Sequence, residues 1–117
     1  FRPFAPMVTK EKQHDFFEMT DDVPYMNQVV QVKPQFRDIL KAVTHVDGSA
    51  RVQTVYKNTL IHKLLEEFEL VSGYPILLNT SFNIKDKTMV LTPKDAIDTF
   101  FDTEMDLLVI GNHVLYK

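Results

Sequence analysis

The clearest pattern of apolar and polar positions lies in NTLIHKLLEEFELVSG, where Leu60, Ile61, Leu64, Leu65, Phe68 and Val71 recur at helical spacing. Asn58 or Thr59 can cap the start, and Gly73 supplies a stop, so a helix is predicted between them. His62, beside Ile61 and Lys63, reads as a partly exposed helix residue. YPILLNTS then reads as a buried strand. TPKDAIDTFFDT opens with Thr92 as N-cap, Pro93 at the first helical position and Asp95 in the first turn. Its predicted buried face is Ala96, Ile97, Phe100 and Phe101.

Weaker patterns fill the rest. FAPMVT reads as a short strand, because each proline biases the residue before it toward extended backbone. KEKQHDFFEM gathers Phe16, Phe17 and Met19 on one side of a short helix, and VPYMNQVVQVK reads as a strand. PQFRDILKAV is predicted to be a short helix or turn opened by Pro34. THVDGSARVQTVY carries Asp47-Gly48, a turn signal between two extended runs, and predicts a hairpin. On its second arm Val52 and Val55 break the alternation with Arg51, Gln53 and Thr54. MDLLVIGNHVLYK closes as two strands around Gly111-Asn112. Strands interspersed with helices predict an α/β or α+β sheet domain. With 117 residues and no repeat or linker, residues 1–117 form one expected domain.

Composition excludes more than it selects. A net charge of −3 gives no broad positive field for nucleic acid or an anionic membrane. No apolar run approaches the roughly 20 residues of a membrane span. Cysteine is absent, which fits a reducing compartment, and the expected location is the cytoplasm. With 3 glycines, neither a Walker loop nor a dinucleotide fingerprint can be built. The first residue is Phe rather than Met, which leads us to expect an excised domain.

Two clusters are candidates for chemistry. Asn79, Thr80, Ser81 and Asn83 follow the strand ILL and precede a loop with Lys85 and Lys87. Strand ends are where ligands bind in open sheets, and these side chains offer neutral donors for a phosphate or a carbonyl. A turn whose side chains bond only local backbone would give the same pattern. The second cluster is His45, Asp47, Arg51 and Gln53. Arg51 could clamp a phosphate or carboxylate, and Asp47 could orient it or a bound magnesium; a solvated turn with a surface arginine is the alternative. The four histidines, His14, His45, His62 and His113, have no metal-ligand spacing, so no metal site is expected in this chain. Ser81 lacks the G-x-S-x-G elbow of a hydrolase. The phenylalanines fall at helical spacing and are explained by core packing.

With these residues in view, the chain resembles the C-terminal domain of the O-carbamoyltransferase family, enzymes that carbamoylate nodulation factors and antibiotics. The resemblance runs nearly the whole length and rests on FRPFAP at 1–6, THVDGSARVQTV at 44–55, LLNTSFN at 77–83, TPKDAIDTF at 92–100 and DLLVIGN at 106–112. It implies the C-terminal portion of a larger enzyme, incomplete at its N-terminus and similar to threonylcarbamoyl-adenylate synthases, with a twisted mixed sheet flanked by helices. The implied reaction takes carbamoyl phosphate and ATP with magnesium to carbamoyl-adenylate. An N-terminal transfer domain, itself expected to hold a metal ion, would then pass the carbamoyl group to a hydroxyl acceptor.

Ser81-Phe82-Asn83 matches the S-x-N signature of those synthases. The resemblance implies catalytic roles for Arg51, Ser81 and Asn83, with Arg2, His45, Asp47, Gln53, Asn79 and Thr80 binding nucleotide or carbamoyl phosphate. Three departures stand out. Ile84-Lys85-Asp86-Lys87-Thr88 replaces a usual Gly-Glu pair, Ser49 stands where the family commonly has Thr, and of the family's upstream basic residues only Arg2 is present. The expected partners are the transfer domain and small substrates, with neither nucleic acid nor membrane. A non-catalytic docking or regulatory domain that keeps the family fold is the competing expectation.

Overall fold

In the first part of the chain one short apolar strand lies between two others, parallel to one and antiparallel to the other. The computed structural model describes residues 3–117, and these divide into two units, Phe1–Thr80 and Ser81–Lys117. Among the described residues the first unit holds β1 (Ala5–Thr9), α1 (Gln13–Phe16), β2 (Phe17–Glu18), β3 (Val30–Val32), β4 (Ser49–Ala50), β5 (Gln53–Val55), α2 (Leu60–Ser72) and β6 (Ile76–Asn79). One mixed sheet has the order β5-β1-β6. There β1 runs parallel to β5, with Met7 opposite Gln53, and antiparallel to β6, with Ala5 opposite Asn79. A second, antiparallel sheet has the order β2-β3-β4. Val8, Phe17, Val23, Val32, Ala50 and Val52 anchor the core of this unit. The fold is α+β, with small sheets in place of one continuous one.

The capping residues set α2 as their local chemistry requires. Thr59 Oγ1 accepts from the His62 N–H at 3.1 Å, and Gly73 sits at φ +85° with its N–H bonded to the Glu69 carbonyl. The apolar stripe of α2 behaves otherwise than its periodicity predicts. Leu65 is buried, whereas Leu60, Leu64 and Val71 are more than half exposed.

His62 corrects a second expectation, for it is 3% exposed rather than partly so. Its Nε2 lies 2.8 Å from Glu11 Oε2 and its Nδ1 3.1 Å from Glu66 Oε1. The ring thus ties α2 to the turn after β1. Burial pushes the Glu11 carboxyl up, but the hydrogen bond to His62, a backbone hydrogen bond and the neighbouring charges of His62 and Lys57 outweigh it and hold it below the usual carboxylate range. A group lowered in this way contributes stability above its unfolded pKa of about 4.3 and loses it as pH falls through the lower folded value. Glu11→Gln is therefore expected to flatten the dependence of the urea midpoint on pH below about pH 5. Identical slopes in the two proteins would remove this ion pair from the acid response.

The region around Asp47-Gly48 folds as a turn but not as the predicted hairpin. Gly48 N–H donates to the His45 carbonyl at 2.9 Å, and His45 N–H donates to that of Ser49 at 2.7 Å. Beyond the turn the two arms part. Ser49 and Ala50 pair with β3, while Gln53–Val55 pairs with β1 in the other sheet. The chain changes sheets at Arg51, between Ala50 and Val52, both fully buried. Ala50, Val52 and Thr54 are buried in alternation, and the break seen in the sequence falls at Val55, buried next to Thr54.

The predicted helix at KEKQHDFFEM is a single turn, because Phe17 leaves it to pair with Val32. Buried Gln13 donates through Nε2 to Asp22 Oδ1 and accepts from Thr54 Oγ1, both at 2.6 Å. That bond fixes the turn against β5. VPYMNQVVQVK supplies only the three residues of β3, and PQFRDILKAV forms two single 3-10 turns, Pro34–Phe36 and Lys41–Val43.

The second unit holds α3 (Pro93–Phe101), β7 (Leu107–Ile110) and β8 (His113–Tyr116), the last two an antiparallel hairpin around Gly111-Asn112. Thr92 Oγ1 accepts from the Asp95 N–H at 3.1 Å, so the predicted cap is present. Ala96, Phe100 and Leu108 are its buried core, while Phe101 points largely to solvent. No helix among the described residues is long and apolar enough to cross a membrane.

Candidate functional site at a polar strand end

In the first unit the start of β5 and the end of β6 lie at one end of the β5-β1-β6 sheet. That register brings two predicted side chains into contact across β1. Asn79 Nδ2 donates to Gln53 Oε1 at 2.7 Å, and Gln53 Nε2 donates to the Pro24 carbonyl at 3.2 Å. The chain of amides fixes which end of each side chain is donor and which is acceptor. Both residues are half-buried, and Thr80, next along, is exposed. Asn79 Nδ2 also lies 3.5 Å from the sulfur of Met26, whose φ of +54° is uncommon for a residue other than glycine. Pro24 and Met26 were not predicted here. They reach the strand end through a loop, and no periodicity marks such residues.

Arg51 enters just before β5. It is exposed and makes no ion pair among the described residues. Its backbone lies between two buried neighbours, Ala50 and Val52, two residues before the start of β5. Asp47 is already engaged. Its Oδ1 accepts from the Ser49 hydroxyl at 2.6 Å and from the Ser49 N–H at 3.0 Å. Those two bonds, the hydroxyl first, hold its carboxyl below the usual range, with a smaller contribution from His45. Asp47 thus closes a turn, and His45 stands exposed beside it.

Ser81 and Asn83 begin the second unit and are both exposed. Asn83 Nδ2 donates to the neighbouring Ile84 carbonyl at 3.2 Å, a local contact of the kind a plain turn makes. Arg2 lies outside the described residues. The donors of the first unit suit phosphate oxygens: the guanidinium of Arg51, the exposed Thr80 hydroxyl and the side-chain amides of Gln53 and Asn79. Among the described residues there is no cluster of three or more His, Asp or Glu side chains placed to hold a metal ion.

The family model described as the carbamoyltransferase C-terminus matches residues 1–117. The chain belongs to the carbamoyltransferase C-terminal family. Its relatives include the nodulation protein NolNO of Sinorhizobium fredii, 44% identical across this whole chain and 18% of that protein's length. The nodulation protein NolO of Bradyrhizobium diazoefficiens is 42% identical across the whole chain and 22% of its own length. The nodulation protein U of Rhizobium tropici is 40% identical over 72% of this chain and 15% of its own length. This carbamoyltransferase C-terminal chain therefore spans about a fifth of the curated relatives it matches in full. The match covers both units, so the strand end of the first and the Ser81-Phe82-Asn83 segment of the second lie within the same family domain.

Proposed function

We propose that this domain is the adenylate-forming portion of an O-carbamoyltransferase, binding ATP and carbamoyl phosphate and supplying carbamoyl-adenylate to an N-terminal transfer domain. The observation that carries the reading is the family match over the full chain, together with an exposed Arg51 two residues before Gln53, whose side chain is paired with that of Asn79. An adenylate-forming reaction needs positioning and charge neutralisation more than a protein nucleophile. Arg51 would meet the negative charge that develops at phosphorus. Gln53, Asn79 and Thr80 would orient the ligand at the strand end. Ser81 and Asn83 would bind a phosphate oxygen and the carbamoyl group. Arg2 would add positive charge near the phosphates, His45 would offer a ring nitrogen to the ligand, and Asp47 would shape the turn before Arg51. Magnesium enters as the counter-ion of the ATP phosphates, and ATP supplies the adenylyl group when bound. The hydroxyl acceptor would be chosen by the transfer domain.

A second reading, a docking or regulatory domain that keeps the fold, is favoured by the local bond of Asn83 to the Ile84 carbonyl. One titration separates the two. On adding ATP with magnesium, and then AMP, to this chain, amide chemical shifts are expected to move within residues 45–53 and 79–87. If millimolar ligand moves no amide here or in the full-length protein, the catalytic reading fails and docking stands.

A further inference from the structure

A second concave site lies on the first unit, in the turn that leads from the 3-10 segment after β3 into β4. A cavity of about 230 Å³ is lined by Arg37, Lys41, Thr44, His45, Val46 and Gly48. Its ionisable walls are two permanent cations and a histidine, with no carboxylate among them. Neither Arg37, Lys41 nor His45 makes an ion pair among the described residues.

Arg37 is built into this wall. Its Nε donates to the Val32 carbonyl at 3.0 Å, and Nη2 donates to Gln31 Oε1 at 3.1 Å. Gly48 lets the turn come up against it. At φ +84°, a Cβ placed on Gly48 would stand 2.5 Å from Arg37 Cζ and 2.7 Å from Nη2. Backbone and guanidinium therefore meet at a distance that a side chain would forbid. Asp47, the carboxylate of the turn, accepts both donors of Ser49 on Oδ1 and keeps its negative charge next to His45, so the excess of positive charge in the wall is carried by Arg37 and Lys41. Thr44 Oγ1 is bonded to the Leu40 carbonyl at 2.8 Å, which holds the 3-10 turn carrying Lys41. Like charges gathered in a concavity are costly unless an anion neutralises them.

We propose that this cavity binds a phosphate-class oxyanion, either inorganic phosphate or pyrophosphate. Size and charge select that class. The volume lies below the roughly 300 Å³ at which ligand pockets for drug-sized molecules begin, which favours a small ligand. A compact anion of charge near −2 matches the two permanent cations, and a fork-shaped guanidinium suits tetrahedral oxyanions. The site shares only His45 with the strand-end residues and does not depend on the carbamoyl-adenylate reading.

The test is a titration of this chain with inorganic phosphate, and separately with pyrophosphate, followed by amide chemical shifts at constant ionic strength with chloride as the control. Saturable shifts centred on residues 37–48 are expected, together with a loss of affinity of tenfold or more in Lys41→Glu. Lys41 is exposed, so this variant keeps the fold. His45→Ala should weaken binding less, and Arg51→Ala should leave it unchanged. An absence of saturable shifts at 37–48 with either probe would overturn the proposal. So would equal affinity in Lys41→Glu, or shifts that chloride reproduces. Loss of phosphate binding in Arg51→Ala, with Lys41→Glu unaffected, would move the anion to the strand end and equally end this assignment.

Discussion

Arg51→Ala in the full-length protein is expected to slow carbamoyl-adenylate formation by roughly 100- to 1,000-fold, the scale on which a preorganised donor to developing charge acts. The same change should leave the fold nearly untouched. Arg51 is exposed and unpaired among the described residues, and exposed substitutions away from caps, cores and networks usually shift stability by less than about 0.5 kcal/mol. Its neighbours Ala50 and Val52, both fully buried, hold the backbone whatever residue stands between them. Ser81→Ala removes one neutral donor and should cost less, about tenfold. The measurement is the rate at which carbamoyl-adenylate accumulates from ATP and carbamoyl phosphate, with the melting temperature recorded beside it. A normal rate in Arg51→Ala would remove it from the chemistry, and a large drop in melting temperature would make it a structural residue instead.

Phe100→Ala should abolish the order of residues 81–117. Phe100 is fully buried and packs with Ala96 and Leu108, the other buried residues of that cluster. Lys117 Nζ lies 4.7 Å above its ring, and the Phe101 ring centroid is 5.3 Å away. Truncating a buried phenylalanine costs about 3–5 kcal/mol, and a core this small has little else to hold α3 against β7 and β8. The readout is amide hydrogen exchange. Protection in α3 and in the β7–β8 hairpin should fall to that of an open chain in Phe100→Ala. In Phe101→Ala it should persist, since that ring is 60% exposed. Equal protection in both variants would show that the unit is held by something other than this ring.

These contrasts mark how far the sequence could be read. Caps and stops are local chemistry, so Thr59, Gly73, Thr92 and Pro93 announced α2 and α3, and Gly111-Asn112 announced the last hairpin. Burial on those helices was less legible. Periodicity gives Phe100 and Phe101 the same apolar character, and only packing separates them. His62 was misread for the same reason, because the carboxylate of Glu11 that meets it comes from a distant turn. Gln13 was passed over altogether. A buried glutamine is invisible until Thr54, its partner 41 residues away, is in place. The predicted hairpin failed because its outgoing arm serves two sheets, and pairing of that kind is decided by the strands already present. At the candidate site the strand end itself was legible from ILLNTS. The amide bridge from Asn79 to Gln53 required the register of β1, which no local pattern encodes.

The position of β1 has a consequence for how the first unit is made. Met7 sits between Gln53 and Leu77, so the middle strand of its sheet is the earliest in sequence and both neighbours come much later. Neither edge can form until a long loop has closed, and high contact order of this kind slows folding. As the chain leaves the ribosome, APMVT waits as an unpaired apolar ribbon until residue 55 has emerged, and keeps one open edge until residue 79 follows. During that interval it can pair with another nascent chain as readily as with its own. Pro3, just before the strand, and Pro6, inside it, lack the N–H groups such a pairing would use, and so they blunt the strand while its proper neighbours are still being synthesised.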